Sequence, residues 1–325
     1  MSFWHFVLVR LAWAAFGLLL AVTIVFVITR VLVSPIEICR EAGGERPDGF
    51  ALCYRAYTEQ LDLNEPIHER YLHFLSGLLA DPSGARSLAT GRDTGPIVRH
   101  ALPPTASIVG GAMVFALLLA AAAGIAWSCV ARKWDRVIRL PIYLAVGLPP
   151  VFLGWLLARS VGYEWPVPNF GGCSPSIASE GAGCGETREW LSHLVLPAVT
   201  LGLFFAGVYT LMVRAAIGDI RTVRDTNERR ELKRRFVLVL ARVAGRDFGW
   251  AVGVAVLVES LFVIPGLGRT AVGSVSNADP FLLETVLLYA ALLAIAVHFM
   301  VDVVVAALDA DLRAEWPVAG MPRPA

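Results

Sequence analysis

The chain has 325 residues, of which 56% are hydrophobic, and its formal net charge is +1. Soluble domains contain about 45–50% apolar residues, so this composition argues against an ordinary soluble protein. A net charge near zero gives no support for nucleic-acid binding. Neither of its two lysines, Lys133 and Lys233, lies in a G-x-x-x-x-G-K-[ST] sequence, which excludes a phosphate-binding P-loop.

Six apolar segments are long enough to form membrane-spanning helices, each of which needs about 20 apolar residues. In chain order they are residues 11–32, 104–129, 137–161, 191–213, 248–264 and 281–308. The first exceeds the hydrophobic region of a signal peptide and lacks an A-x-A-like cleavage site, so we expect an uncleaved anchor helix. Prolines inside the third and fourth segments predict kinks. The sequence therefore predicts an all-α integral membrane protein with six transmembrane helices.

The loops between these segments differ in charge. Residues 221–246 contain nine Arg or Lys and three acids, and the loop between the second and third segments is also basic. Residues 34–98 contain ten acids and six Arg, and residues 162–190 contain four acids and one Arg. The positive-inside rule places the basic loops and both termini in the cytoplasm. The predicted parts are 1–33 (N-terminal segment and first helix), 34–99 (extracytoplasmic loop domain) and 100–325 (five-helix core with a cytosolic loop at 214–247).

Four of the five cysteines lie in the two predicted outer loops. Cys39 and Cys53 belong to the first loop, and Cys173 and Cys184 to the second. Four cysteines allow three pairings. Their short separations and their position on the oxidising side favour Cys39–Cys53 and Cys173–Cys184, with free thiols as the alternative. We expect the first loop to be a small, partly helical domain with a disulfide.

The basic segment 221–246 also carries an apolar stripe. Its apolar side chains recur at helical spacing; they are Leu232, Phe236, Val239, Leu240 and Val243. An amphipathic basic helix can lie on anionic lipid or bind in a groove of a partner protein. The spacing leaves both interpretations open.

Two acids lie in apolar surroundings. Charged groups inside a membrane usually face a bundle interior or a cavity, so Glu259 and Asp302 are candidates for a translocation path or gate. The alternatives are a structural hydrogen bond for Glu259 and an ion pair with an arginine for Asp302. His298 lies one turn before Asp302, which favours a polar pair over a metal site.

Five stretches resemble the integral-membrane permeases of the oligopeptide/dipeptide ABC transporter family, in the same order and over nearly the whole chain. They are LDLNEPIHERYLHFLSGLLADPSG (61–84), HALPPTASIVGGAMVFALLL (100–119), HLVLPAVTLGL with VYTLMVRAAI (193–217), VESLFVIPGLGRTAVGSVSNADP (258–280) and LDADLR (308–313). The fourth stretch is the most specific, because it combines Val-Glu-x-x-Phe-x-x-Pro-Gly-Leu-Gly with a later Asp-Pro. The resemblance implies a fold like that of type I ABC importer permeases.

The resemblance also implies an assembly and a function. A second homologous permease, two ATPase subunits or one fused ATPase, and an extracytoplasmic binding protein would join this chain in a bacterial cytoplasmic membrane. The chain would be the non-enzymatic translocation-pore subunit of a peptide importer that works by alternating access. It would bind no cofactor itself, since ATP and Mg would sit on the ATPases. Nickel chelates, glutathione or another small solute are alternative substrates, and a channel, a secondary transporter or an intramembrane enzyme are alternative classes.

Two elements acquire roles through this resemblance. The loop at 214–247 would couple to an ATPase, with candidate docking residues at its first part: Arg221, Arg224, Asp225, Glu228, Leu232 and Phe236. The loop lacks the family's usual glycine and is unusually charged. The stretch after Glu259, with Pro265, Gly266 and Gly268, would form a re-entrant turn and short helix that helps to close the outer mouth.

Overall fold

A computed structural model of the chain describes residues 2–31, 36, 39–40, 47–60, 64–80, 85–130, 135–160 and 187–309. This described part is helical, apart from turns and one isolated antiparallel bridge between Arg86 and Asp93. The helices are α1 (Phe3–Phe26), α2 (Pro47–Gln60), α3 (Ile67–Ala80), α4 (Thr94–Cys129), α5 (Asp135–Gly147), α6 (Pro150–Ser160), α7 (Thr187–Thr222), α8 (Thr226–Phe262), α9 (Leu267–Ser276) and α10 (Pro280–Leu308). A π-helical turn at Val27–Val31 extends α1.

Length and composition make four of the described helices candidates for crossing a membrane. These are Phe3–Val31, Thr94–Cys129, Ser192–Thr222 and Pro280–Leu308. Two further pairs qualify together but are bent, α5 with α6 by 109° and α8 with α9 by 74°. The bend between α5 and α6 falls at Pro149 and Pro150, where proline disfavours the helical conformation of the residue before it. The described part thus contains four to six candidate spans, and the prediction of six corresponds to the upper count.

The main hydrophobic core lies where α4, α7 and α8 meet. Small side chains on α4, including Ala112, Ala116 and Ala120, are fully buried against the larger Leu201 and Phe205 of α7. Small residues allow helix backbones to approach closely, which is the usual way in which helices pack inside a membrane. This packing gives the three helices a common frame on which the candidate site is built.

Helix α8 unites the basic segment and the fifth apolar segment, which the sequence predicts as two separate elements. It runs for 37 residues from Thr226 to Phe262, so it contains most of the basic segment and most of the predicted fifth span. Asp225 caps its start by accepting hydrogen bonds from the backbone N–H groups of Asn227 and Glu228. No proline interrupts this stretch. At 1.5 Å per residue, α8 is about 55 Å long, and it therefore extends well beyond a hydrocarbon core of about 30 Å.

The segment between the first two candidate spans packs helices α2 and α3 against the ends of α1 and α10. Cys39 and Cys53 form a disulfide, as predicted, whereas residues 161–186, which contain Cys173 and Cys184, lie outside the described residues. On α3, Phe74 packs against Phe26 of α1 with ring centroids 5.5 Å apart. These contacts attach α2 and α3 to the bundle of candidate spans.

Candidate functional site

Glu259 lies near the end of α8, where the chain turns into α9. Its side chain is fully buried, with 0% exposure. Oε1 accepts a hydrogen bond of 2.5 Å from the Thr105 hydroxyl of α4, and Oε2 accepts one of 3.1 Å from the backbone N–H of Arg269. The Thr105 hydroxyl oxygen in turn accepts a hydrogen bond of 2.8 Å from the Leu267 backbone N–H. The carboxyl group therefore binds the first turn of α9, where unsatisfied N–H groups and the helix dipole favour negative charge.

The turn that brings α9 back to Glu259 depends on local backbone features. Val263, the residue directly after α8, has a left-handed backbone conformation with a φ of 59°. A Cβ atom at Gly266 would overlap the Glu259 carboxylate, and one at Gly268 would overlap the Val256 backbone. Glycine is required at both positions because of this close approach. Pro265, Gly266, Gly268 and Glu259, which the sequence analysis singles out, are thus brought together in one compact joint, called here the outer joint.

Asp302 of α10 occupies a second buried polar cluster. Its side chain is 1% exposed, and Oδ2 contacts the Arg10 guanidinium of α1. Arg242 Nε of α8 lies 3.5 Å from Oδ1, and His298 Nε2 lies 3.3 Å from Oδ2. The predicted ion pair with an arginine and the predicted pairing with His298 are both present. This set of four residues, called here the inner cluster, joins three spanning helices.

The outer joint and the inner cluster both use α8. Glu259 and Arg242 are 17 residues apart in the sequence, which corresponds to about 25 Å along a helix. A cavity of about 360 Å³ adjoins the inner cluster and is lined by Arg10, Trp13 and His298 among others. The two predicted path or gate acids therefore belong to separate sites at opposite ends of the apolar part of α8.

Sequence reasoning missed another buried acid, Glu284 of α10. It forms a bidentate ion pair with Arg30, in which Nε lies 3.0 Å from Oε2 and Nη2 lies 3.2 Å from Oε1. Arg70 of α3 donates a hydrogen bond of 2.8 Å to the Arg30 carbonyl. An acid and an arginine inside apolar segments are the signal that could have identified this pair. The pair connects the end of α1 to α10, and Arg70 adds α3 to this contact.

The predicted coupling residues surround the short break between α7 and α8. Arg224, Asp225 and Glu228 are exposed at this tip. Arg221 is also exposed and donates a hydrogen bond of 2.6 Å to the Ser128 carbonyl at the end of α4. Leu232 is half-buried. Phe236, also half-buried, packs against the main core. The structure thus separates an exposed polar tip from Phe236, which contacts the core.

Comparison with known proteins finds relatives over nearly the whole chain. The glutathione transport system permease protein GsiC of Salmonella choleraesuis (strain SC-B67) is 28% identical over a 324-residue alignment that covers 95% of this chain and 99% of the relative. The protein of the same name from Escherichia coli (strain K12) is 26% identical over 280 residues, which cover 82% of this chain and 86% of the relative. No protein-family model matches the chain. These relatives are permeases by name, in agreement with the resemblance to permeases that the sequence shows.

Proposed function

Because this chain is an integral-membrane permease subunit of the oligopeptide/dipeptide ABC transporter family and not itself an enzyme, we propose that it is a translocation-pore subunit of an ATP-driven peptide importer. The observation that carries this proposal is the similarity to glutathione permeases over 95% of the chain. A second homologous permease, two ATPase subunits or one fused ATPase, and an extracytoplasmic binding protein would complete the transporter. Six spans with both termini in the cytoplasm agree with the basic loops.

The substrate would be a short peptide or a peptide-like solute such as glutathione. This proposal is supported by the two relatives, which are named as glutathione transport permeases, because glutathione is a small peptide. Nickel chelates and other small solutes are alternative cargoes within the same architecture. ATP and Mg would bind the partner ATPases.

Helix α8 would transmit the ATPase motion into the membrane. Its first turns contain the exposed tip, and its last turns contain Glu259 of the outer joint. A continuous helix about 55 Å long can move as one rigid element. A displacement of the tip would then reach α9, which is hydrogen-bonded to the Glu259 side chain. Alternating access would follow from a shift between two arrangements that the ATPases favour in turn.

Co-purification tests the coupling role of the tip. We would tag the full chain, extract it from its native membranes in a mild detergent and identify the proteins that accompany it. The double variant Arg224→Ala/Glu228→Ala removes two exposed charges four residues apart and should lose the ATPase. Arg55→Ala/Glu59→Ala removes an equivalent exposed pair from α2, whose side chains are 80% and 65% exposed, and should retain it.

Transport measurements test the function itself. In proteoliposomes that contain the whole complex, uptake of labelled glutathione, a dipeptide and a nickel chelate should each be compared with and without ATP. Uptake of a peptide that requires ATP and the binding protein is the expected result. Solute flux through the purified chain without ATPase would instead identify a channel or secondary transporter. ATP-dependent uptake of the nickel chelate alone would keep the architecture but overturn the peptide assignment.

A further inference from the structure

A groove of about 500 Å³ lies between the ends of α4, α7 and the beginning of α8. Apolar side chains from the three helices form most of its wall, among them Ile125, Ile217 and Val237. Ile125 and Val237 are 55% and 61% exposed. We refer to this feature as the basic groove, because three cations also line it: Arg221, Arg229 and Lys233.

The basic groove is apolar at one end and cationic at the other. Far from the tip, each of the three helices contributes an apolar residue to the lining: Ala121, Val213 and Leu240. Near the tip, the cations line the groove. On α4 the lining runs from Ala121 to Ser128, a distance of about 10 Å along a helix. This part of α4 lies inside a candidate membrane span. The groove therefore connects the depth of lipid chains with the level of lipid headgroups.

The three cations have no carboxylate partner among the described residues. Arg221 binds the Ser128 carbonyl and Arg229 donates to the Val223 carbonyl at 2.6 Å, so both contact neutral groups. Within the same described part, Arg229 Nε is buried and has no hydrogen-bond acceptor. Neighbouring basic residues differ, since Arg234 and Arg235 both pair with Glu231. Three cations without a carboxylate partner in the described part, all at one end of the groove, favour an anionic ligand.

We propose that the basic groove binds an anionic phospholipid of the adjacent leaflet. One acyl chain would lie against the apolar wall, and the phosphate would contact Arg229, Lys233 and Arg221. Basic pockets between membrane helices on the cytoplasmic side suit anionic lipid headgroups, and arginine binds phosphate well because its donors form a planar fork. A bilayer supplies such a ligand at the depth of the groove. The bound lipid would join α4, α7 and the first turns of α8.

Lipid binding by the purified full chain tests the proposal. Native mass spectrometry in a non-ionic detergent would count bound phosphatidylglycerol and phosphatidylcholine over a range of concentrations. The wild-type chain should prefer phosphatidylglycerol. Arg229→Gln/Lys233→Gln should weaken that binding roughly 30-fold, because each cation near an anionic headgroup contributes a factor of about five. Lys233→Gln alone, which alters an exposed side chain, should weaken it roughly fivefold.

Matched control variants test whether lipid binding depends on the groove itself or only on the number of positive charges. Arg136→Gln/Arg230→Gln removes two exposed arginines and should leave phosphatidylglycerol binding unchanged. Ala121→Phe fills the apolar end and should reduce binding, whereas Ala122→Phe on the exposed face of α4 should not. Equal losses in the control and groove variants, or no lipid preference in the wild type, would overturn the proposal. It would also be overturned if the groove variants lost the ATPase but kept their lipid preference, because the groove would then be a protein-docking surface.

Discussion

The outer joint and the inner cluster both bury a carboxylate in the membrane part of the protein, but by opposite means. Glu259 is held by a hydroxyl and by backbone N–H groups at the start of α9, all of them neutral donors. Asp302 is held by two arginines and a histidine. α9 lies next to α8 in sequence, whereas Arg10 and Asp302 are at opposite ends of the chain. The outer joint therefore binds its carboxylate through neutral dipoles, from Thr105 of α4 and from the adjacent α9, and the inner cluster binds its carboxylate through ion pairs.

This difference assigns different mechanical roles to the two sites. Neutral hydrogen bonds to a ten-residue helix can be exchanged when that helix moves, and each contributes only about 0.5–1.5 kcal/mol net. An ion-paired cluster among three spans resists separation, because a buried charge without its partner is costly. We therefore expect the outer joint to move during transport and the inner cluster to stay closed. The predictions below test this contrast.

The largest effect is expected from Asp302→Asn. The substitution removes the negative charge of Asp302 from its contacts with Arg10 and Arg242, and breaking a buried pair in this way costs about 3–5 kcal/mol. Thermal unfolding in detergent should show a large loss of stability. Asp219→Asn, at an exposed position on α7, is the control and should change little. A fully stable Asp302→Asn protein with abolished transport would make Asp302 a gate residue and would contradict the structural role.

Gly268→Ala should be the next most damaging change. The added Cβ would overlap the Val256 backbone, which cannot yield as a flexible side chain would. Overpacking of this kind costs about 1–3 kcal/mol, and here it would push α9 away from Glu259. Gly273→Ala on the same helix meets no atom within 4 Å and should be neutral or slightly stabilising. Equal stability of the two variants would show that α9 is not held tightly against α8.

Two single variants, Glu259→Gln and Thr105→Val, distinguish a structural role of Glu259 in the outer joint from a role in the translocation path. If the carboxyl group serves the outer joint, each change removes part of one hydrogen-bonded set and should cost about 1–3 kcal/mol, with a similar fall in transport. If Glu259 contacts the substrate on the translocation path, Glu259→Gln alone should impair transport while stability is kept. Unfolding midpoints and ATP-driven uptake, measured on both variants, distinguish these outcomes.

The sequence predicted the elements well where composition determines them. Apolar length identified the spans at both ends of the chain, whereas the short helix α9 was predicted from the family resemblance of the Pro-Gly-Leu-Gly stretch. Periodicity did not reveal that the basic segment and the fifth span form one helix, because a change from polar to apolar residues does not by itself end a helix. The sequence indicated that Asp302 pairs with an arginine and with His298, but it did not identify Arg10 and Arg242 as the arginines, or Arg30 as the partner of Glu284. Contacts between distant positions leave no spacing signal in a single sequence.

The smallest effect is expected from His298→Gln. The imidazole is the most exposed member of the inner cluster, with a side chain 36% exposed against 9% and 18% for Arg10 and Arg242. Glutamine can still donate a hydrogen bond to Asp302, and both arginines remain, so the cost should stay below about 1 kcal/mol. The measurement is the unfolding midpoint beside that of Asp302→Asn. A loss as large as that of Asp302→Asn would mean that the imidazole, rather than the arginines, holds the carboxylate. The inner cluster would then depend on one neighbour a single turn away, as the outer joint depends on α9, and the contrast between the two ends would fail.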